Sequence, residues 1–447
     1  MSYRHMKEGT QGRGCHIYRE QINTVVEKQR HQAILLIMVS TSYLISQGLH
    51  LCVAVSCLLI HFTDAAASSS NNAHKDAKNE ANKLSAASSS SSSNATLFDG
   101  LPPLIPERVV PARKPRNAGK YDVETPNIER NVQWYNQHNP DQQYNLTRRS
   151  DTTTTLDGDT VGGYTLNLPE NAPPIQPSSD DVMIQATTSQ IKDFKKYSAI
   201  AGTAYCRNVV PKSEWNCVSC LQYVPDGKII KTFTSFASDT NGFLLRSDKE
   251  KTIYLVFRGT SSFRNAITDL KFDKVAYPNV KGARVHKGFL ASYNEIISSY
   301  FPAMQEQLTA FPSYNIIITG HSLGGAQAVL AGIDLYARDK RITEKNLKIF
   351  TNGMPRIGSP EFAYYVDSTK IPLYRSVNER DIVPHLPPQS FGFLHPGVEA
   401  WIKSPGSVYI CSKERESKKC SNSIVPFTSI SDHSNYYNTD QGNCLSS

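Results

Sequence analysis

YNIIITGHSLGGAQAVLAGIDLY, residues 314–336, carries the fold in its pattern. Ile316, Ile317, Ile318 and Thr319 are β-favouring residues in a row. Gly320-His321-Ser322-Leu323-Gly324 follows and fits G-x-S-x-G. Ala326, Val329, Leu330 and Ile333 then recur at helical spacing. Strand, sharp turn and helix form the context in which the pattern becomes a nucleophile elbow. The reason is steric. A serine on so tight a turn has strained backbone geometry, and its neighbours two positions away must lack side chains. Gly320 and Gly324 meet that demand. The Ser322 hydroxyl then stands at the C-terminal edge of a sheet, and the helix N-terminus aims amides at a developing anion. Stripped of its flanks, the same pentapeptide reads as a Gly-rich turn with a chance serine.

Outward from the elbow, strands alternate with helices. Thr187 and Gln190 make a capping box for a helix from Ile191 to near Cys206. Thr232–Ala237 and Gly242–Arg246 read as paired strands, and Thr252–Phe257 as a buried one. Phe289 to about Ala310 is an amphipathic helix. Asn346–Thr351 and Leu373–Val377 are further strands. The alternation predicts an α/β fold, a sheet with helices on both faces.

A serine hydroxyl needs a base, and the base needs a carboxylate to hold its tautomer. On sheets with this elbow the order is Ser, then Asp or Glu, then His. Asp381 leaves the C-terminal end of the strand Leu373–Val377, with a turn or capping role as its bland alternative. Asp334 and Asp339 lie on or after the elbow helix, Asp367 falls in a polar turn, and Asp432 adjoins the candidate base too closely to bond its ring. His433 lies far enough downstream to fold back over the sheet edge, where Cys444 can tie the tail. His385 is only four residues past Asp381, too near to face it and Ser322 together. His286 and His321 precede the serine and read as structural. For an oxyanion, Leu323 offers one backbone N–H and Thr260, after Phe257-Arg258-Gly259, the second.

Ser262 to Leu270 speaks to substrate. Phe263, Ala266, Ile267 and Leu270 share one helical face, opposite Arg264, Asn265, Thr268 and Asp269. Such a helix beside an active site is either a lid that turns its apolar face to an oil surface, or an ordinary surface helix.

The 447 residues carry a net charge of +8. Lys and Arg are scattered, with no basic block interleaved with aromatics, which argues against nucleic acid. An apolar region spans 33–62, its most uniform part, Leu51–Ile60, having signal-peptide length; Ala65-Ala66-Ala67 supplies small residues for cleavage. Met38 gives the leader ordinary proportions, and an uncleaved anchor is the rival reading. From 68 to 178 the chain is rich in Ser, Pro and Asn and too poor in apolar residues to fold alone, either a pro-segment or a linker. It holds the dibasic pair Arg148-Arg149 and glycosylation acceptors at Asn94 and Asn145. Removing the leader leaves Cys206, Cys217, Cys220, Cys411, Cys420 and Cys444, an even set suited to an oxidising compartment. Nothing completes a zinc site around Cys217-Val-Ser-Cys220.

VFRGTSSFRNAITD, VHKGF, TGHSLGGAQA, GMPRIG, RDIVPHLPPQSFGFLHPGVE and DHSNYY together resemble the fungal triacylglycerol lipases of the Rhizopus and Rhizomucor type, within the class 3 lipases. The similarity covers nearly all of 179–447 and reaches weakly into the leader from Met38. It implies an α/β-hydrolase-like, mostly parallel central sheet with a short helical lid, and secretion as a pre-pro-enzyme. It implies ester hydrolysis without cofactor or metal, and no stable membrane span in the mature form. It places the nucleophile on Ser322, the acid on Asp381, the base on His433, the oxyanion donors on Thr260 and Leu323, and the lid across Ser261 to Asp269. It pairs Cys206 with Cys444, Cys217 with Cys220 and Cys411 with Cys420. Ser434, Tyr437, Asn352 and Met354 depart from the family pattern, the first two pointing to a more polar acyl-binding wall.

The expectation is a secreted lipase with a leader (1–67), a pro-segment (68–178) that acts as intramolecular chaperone or inhibitor, and a catalytic domain (179–447). Its substrate is a triglyceride or other lipid ester at an oil–water interface. A phospholipase, a feruloyl-type esterase and a non-catalytic lipid-binding module are the alternatives.

Overall fold

The computed structural model describes residues 101–113, 121–144, 160–175, 183–235, 237–260, 263–411, 415–442 and 444. Outside these lie the leader with Met38, the acceptors Asn94 and Asn145, the Arg148-Arg149 pair, the Ser179 boundary, Ser261, Ser262 and the Phe263 side chain. Residues 94–447 form one compact unit.

In chain order the main elements begin with α1 (Glu124–His138), β1 (Met183–Gln185), α2 (Thr188–Thr203) and α3 (Val218–Tyr223). Next come β2 (Lys228–Thr234), β3 (Asn241–Ser247), β4 (Thr252–Arg258), α4 (Phe263–Thr268) and α5 (Lys287–Ala310). Then follow β5 (Asn315–His321), α6 (Leu323–Arg338), β6 (Leu347–Asn352), α7 (Pro360–Ser368) and β7 (Leu373–Asn378). A hairpin of β8 (Val398–Ser404) and β9 (Ser407–Cys411) completes a nine-stranded sheet ordered β1-β9-β8-β7-β6-β5-β4-β3-β2. β4 to β8 run parallel through the centre, and the flanking strands join antiparallel.

The isoleucines of β5 divide between two cores, as strand alternation requires. Ile316 and Ile318 face α5 and α6 with Leu255, Phe257, Val329 and Leu330. Ile317 faces the other way, in a cluster with Tyr254, Val256, Phe350 and the α2 residues Phe194 and Ile200. Burial on both faces explains why β4 and β5 read as continuous apolar runs. The α2 capping box forms as its sequence predicts: Gln190 N–H donates to Thr187 Oγ1 at 3.2 Å.

Three departures have physical causes. The β8–β9 hairpin sits between sequence signals too weak to announce it, and β2 runs Lys228–Thr234, four residues ahead of the expected Thr232 start and three short of the expected Ala237 end. Asp367 is on α7, not in a turn; it pairs with Arg415 and accepts from Gly397 N–H at 2.8 Å.

The described stretches of 101–175 lie against the rest of the unit through both apolar and polar groups: Val132 and Tyr135 cluster with Phe427, and Val161, Tyr164 and Leu166 with Ile382, Val383 and Leu386. Asn127 Nδ2 donates to the carbonyls of Lys418 and Asn422, and Asn131 Nδ2 to those of Ser423 and Val425. Arg108 Nη1 donates to Tyr336, Asp339 and Ile342 carbonyls at the end of α6. A two-stranded hairpin, Thr160–Val161 with Tyr164–Thr165, bonds through Thr165 to Pro426 and Thr428.

Candidate active site

The elbow has the geometry its glycines imply. Ser322 sits at φ 56°, in the left-handed region that costs a side-chain-bearing residue strain. A Cβ on Gly320 would lie 2.2 Å from the Gly324 carbonyl oxygen, and one on Gly324 2.4 Å from that of Phe257. The loop after β4 presses against the same turn: a Cβ on Gly259 would lie 2.8 Å from Ser322 Cβ. Thr260 is the next residue of that loop, and Leu323 opens α6 directly after the serine.

Asp381 follows β7 through a turn in which Glu379 takes φ 40°. The carboxylate is fully buried and has three donors. His433 Nδ1 lies 2.8 Å from Oδ2, Tyr436 donates its hydroxyl to the same oxygen, and Val383 N–H donates to Oδ1 at 2.9 Å. Burial and the adjacent Asp381 charge push the Tyr436 phenol far up, so it stays a donor. His433 lies on a single 3₁₀ turn, Ser431–Ser434, and is fully buried. A Cβ on Gly353 would lie 2.7 Å from His433 Cε1, so the imidazole fits only over a glycine.

His321 does more than fill space. Its ring packs 4.4 Å from that of His433. Nε2 donates to the His433 carbonyl at 2.9 Å, and Nδ1 accepts from Tyr205 Oη at 2.8 Å. Burial, and next the His433 imidazole, press its pKa well down, so it acts as a neutral tautomer fixed from both ends. Tyr205 and Tyr436 were missed in sequence; the aromatic-rich DHSNYY run was the only signal for the second.

The tail that carries His433 is tied to α2. Cys206 and Cys444 are joined, and Thr439 Oγ1 lies 2.8 Å from Ser198 Oγ. Cys217–Cys220 and Cys411–Cys420 are the other disulfides. Glu399 lies within ligand reach of the Cys411–Cys420 sulfurs, but the sulfurs are spent on one another and Glu399 pairs with Arg375.

On α4, Arg264 and Asn265 are exposed, as is Asp269 just after it, while Ile267 is buried. Ile267 belongs to the same cluster as Val161, Tyr164 and Leu166 and as Ile382, Val383 and Leu386 after Asp381. Tyr437 is buried. It joins the α2 core and its hydroxyl meets Ser376 Oγ at 2.8 Å, while Ser434 Oγ donates to the Ser431 carbonyl. Met354 packs on Gly325, where a Cβ would come within 2.9 Å of it. His286 caps α5 through Nδ1, and His395 Nε2 donates to the Pro384 carbonyl at 2.8 Å.

Residues 254–391 match the family model described as Lipase (class 3). A lipase of Rhizopus niveus is 53% identical over 409 residues, spanning 90% of this chain and 98% of its own. The Rhizomucor miehei lipase–propeptide complex covers 77% of this chain and 100% of its own at 43% identity, with a TM-score of 0.66. A solved triacylglycerol lipase whose catalytic centre is described as a serine protease triad covers 59% of this chain and 99% of its own at 48% identity, TM-score 0.57.

Proposed function

The chain belongs to the class 3 lipases, a family of serine hydrolases on the α/β-hydrolase fold, and from that premise we propose that it hydrolyses long-chain triacylglycerols at an oil–water interface. Ser322 attacks the ester carbonyl. His433 takes its proton as general base and returns it to the leaving alcohol, and Asp381 holds the ring in the Nδ1–H tautomer. The backbone N–H groups of Thr260 and Leu323 receive the oxyanion. Water, activated by His433, then releases the fatty acid. The observation that carries the reading is the union of a left-handed serine at φ 56° with a His433–Asp381 pair at 2.8 Å.

We further propose that α4 is the lid and that 101–175 belongs to a pro-segment which keeps it shut. The buried Ile267, clustered with Val161, Tyr164 and Leu166, supports both statements. So does the nucleophile's cover: Ser322 is only 5% exposed. The bonded cysteine set fits a secreted enzyme. Among the described residues no helix is long and apolar enough to cross a membrane.

The test is hydrolysis rate against concentration of a short triglyceride, carried through its solubility limit, with residues 179–447. A jump in rate when droplets form is expected. A smooth saturating curve identifies an esterase and removes the lid. Ser322→Ala should cut hydrolysis by about five orders of magnitude while binding to lipid survives; hydrolysis that persists would mean another nucleophile.

A further inference from the structure

The pro-segment and the hydrolase body share one fully buried ionic site, and its donors are unevenly divided. Glu124, in the first turn of α1, is 2% exposed. Its Oε1 accepts from Arg356 Nη2 at 2.7 Å and from His385 Nδ1 at 3.1 Å. Its Oε2 accepts from Tyr164 Oη at 2.7 Å and from the Gln389 backbone N–H at 3.2 Å. Tyr164 alone among these belongs to the pro-segment.

The body's three donors are positioned by the body itself. Arg356 Nε donates to Glu416 at 2.9 Å and Nη2 to its other oxygen at 2.7 Å, while Nη1 donates to the His385 and Pro387 carbonyls. Gln389 Nε2 also donates to Glu416, at 2.7 Å. Without Glu124, Arg356 and Glu416 still neutralise each other, so the site does not lose its charge balance. What remains is a guanidinium N–H, an imidazole N–H and a backbone N–H converging on a space the size of a carboxylate. Such fixed, convergent donors select a charged acceptor over a neutral one.

We propose that the hydrolase body carries a carboxylate-binding site, formed by Arg356, His385 and the Gln389 backbone N–H, which Glu124 fills in the precursor and a small free carboxylate fills when Glu124 is absent. The site exists whether or not the segment is ever cut away. The Glu124 carboxylate is thus the docking key of α1, and the asparagine bonds of Asn127 and Asn131 set its register.

The experiment uses the full chain with a protease recognition sequence replacing residues 177–180, folded intact and then cut. Retention of the pro-segment is measured near neutral pH in sodium acetate or sodium chloride at equal ionic strength. Glu124→Ala should raise the dissociation constant about a hundredfold, because it strips the partner from a buried, hydrogen-bonded charge site. Acetate replaces the deleted atoms and should recover about tenfold of that loss; chloride should recover none. Glu124→Gln should weaken docking without acetate rescue, since the amide occupies the space. Equal effects of acetate and chloride on Glu124→Ala, or parent-like docking by Glu124→Gln, overturn the proposal. Should Glu124→Ala not fold, displacement of the parent pro-segment by acetate but not chloride decides the matter. Hydrolysis by the cut protein is read separately, so an inactive body would count against the lipase reading and leave these dissociation constants standing.

Discussion

His321 Nε2 donates to the backbone carbonyl of His433 at 2.9 Å, so the residue before the elbow serine holds the main chain of the candidate base. Nucleophile and base are thereby referenced to one strand end, although 112 positions separate the two histidines. His321→Phe keeps the packing and removes both bonds. We expect kcat to fall about tenfold with KM within about twofold, as misplacement of a catalytic group does. Steady-state kinetics checks this; a loss confined to KM would contradict it.

Tyr436 completes the Asp381 shell. Tyr436→Phe should lower stability by about 1.5–3 kcal/mol, the usual worth of a hydrogen bond to a buried charge, and lower kcat as well. Urea unfolding reads the first effect. An unchanged midpoint would show that the hydroxyl does not serve Asp381.

Docking of the pro-segment should weaken in acid. Burial alone would raise the Glu124 pKa, but the Arg356 charge and the His385 hydrogen bond hold it below its ordinary 4.5. A depressed carboxylate contributes binding that is fully present above the ordinary value and lost as pH falls through the depressed one. The other groups facing it are Glu416 and Tyr164, with Asp122 just ahead on the same segment. Retention on the cut protein, followed from about pH 6 to 3, should therefore fall below about pH 4.5, and Glu124→Gln should flatten the curve. A parent curve as flat as the variant's would refute the assignment.

The disulfides should differ in worth. Cys206–Cys444 spans a sequence separation of 238, and Cys217–Cys220 one of 3. Loop-closure entropy gives about 5 kcal/mol for the first and about 1.5 kcal/mol for the second. Replacing each pair by alanine and measuring unfolding by calorimetry tests the order. The first loss should also reduce activity, because the tail carries His433; equal destabilisation would mean the tail is held by Ser198 and its partners instead.

The elbow and the α/β alternation were legible because sterics leave few residues able to form them: Gly320 and Gly324 have backbone within 2.4 Å of where a Cβ would be. Asp381 and His433 followed from chain order, and the structure puts them 2.8 Å apart. Tyr205 and Tyr436 were not legible, since a phenol that donates to a buried partner looks in sequence like one that merely packs. Residues 101–175 are illegible in a different way. Their scarcity of apolar residues says that they cannot fold alone, and is silent about docking through Asn127, Asn131, Arg108 and Glu124, whose partners are mostly carbonyls that no sequence pattern displays.

The pro-segment grips the body at separate places, from Arg108 at the end of α6 to Glu124 at Arg356. While the chain is whole, these grips act at the high effective concentration of a tether. On the pro-segment reading proposed above, scission near residue 179 would make an intramolecular equilibrium bimolecular. Release is then governed by dilution, and a cut precursor would stay silent in a crowded compartment and awaken as it spreads into a larger volume.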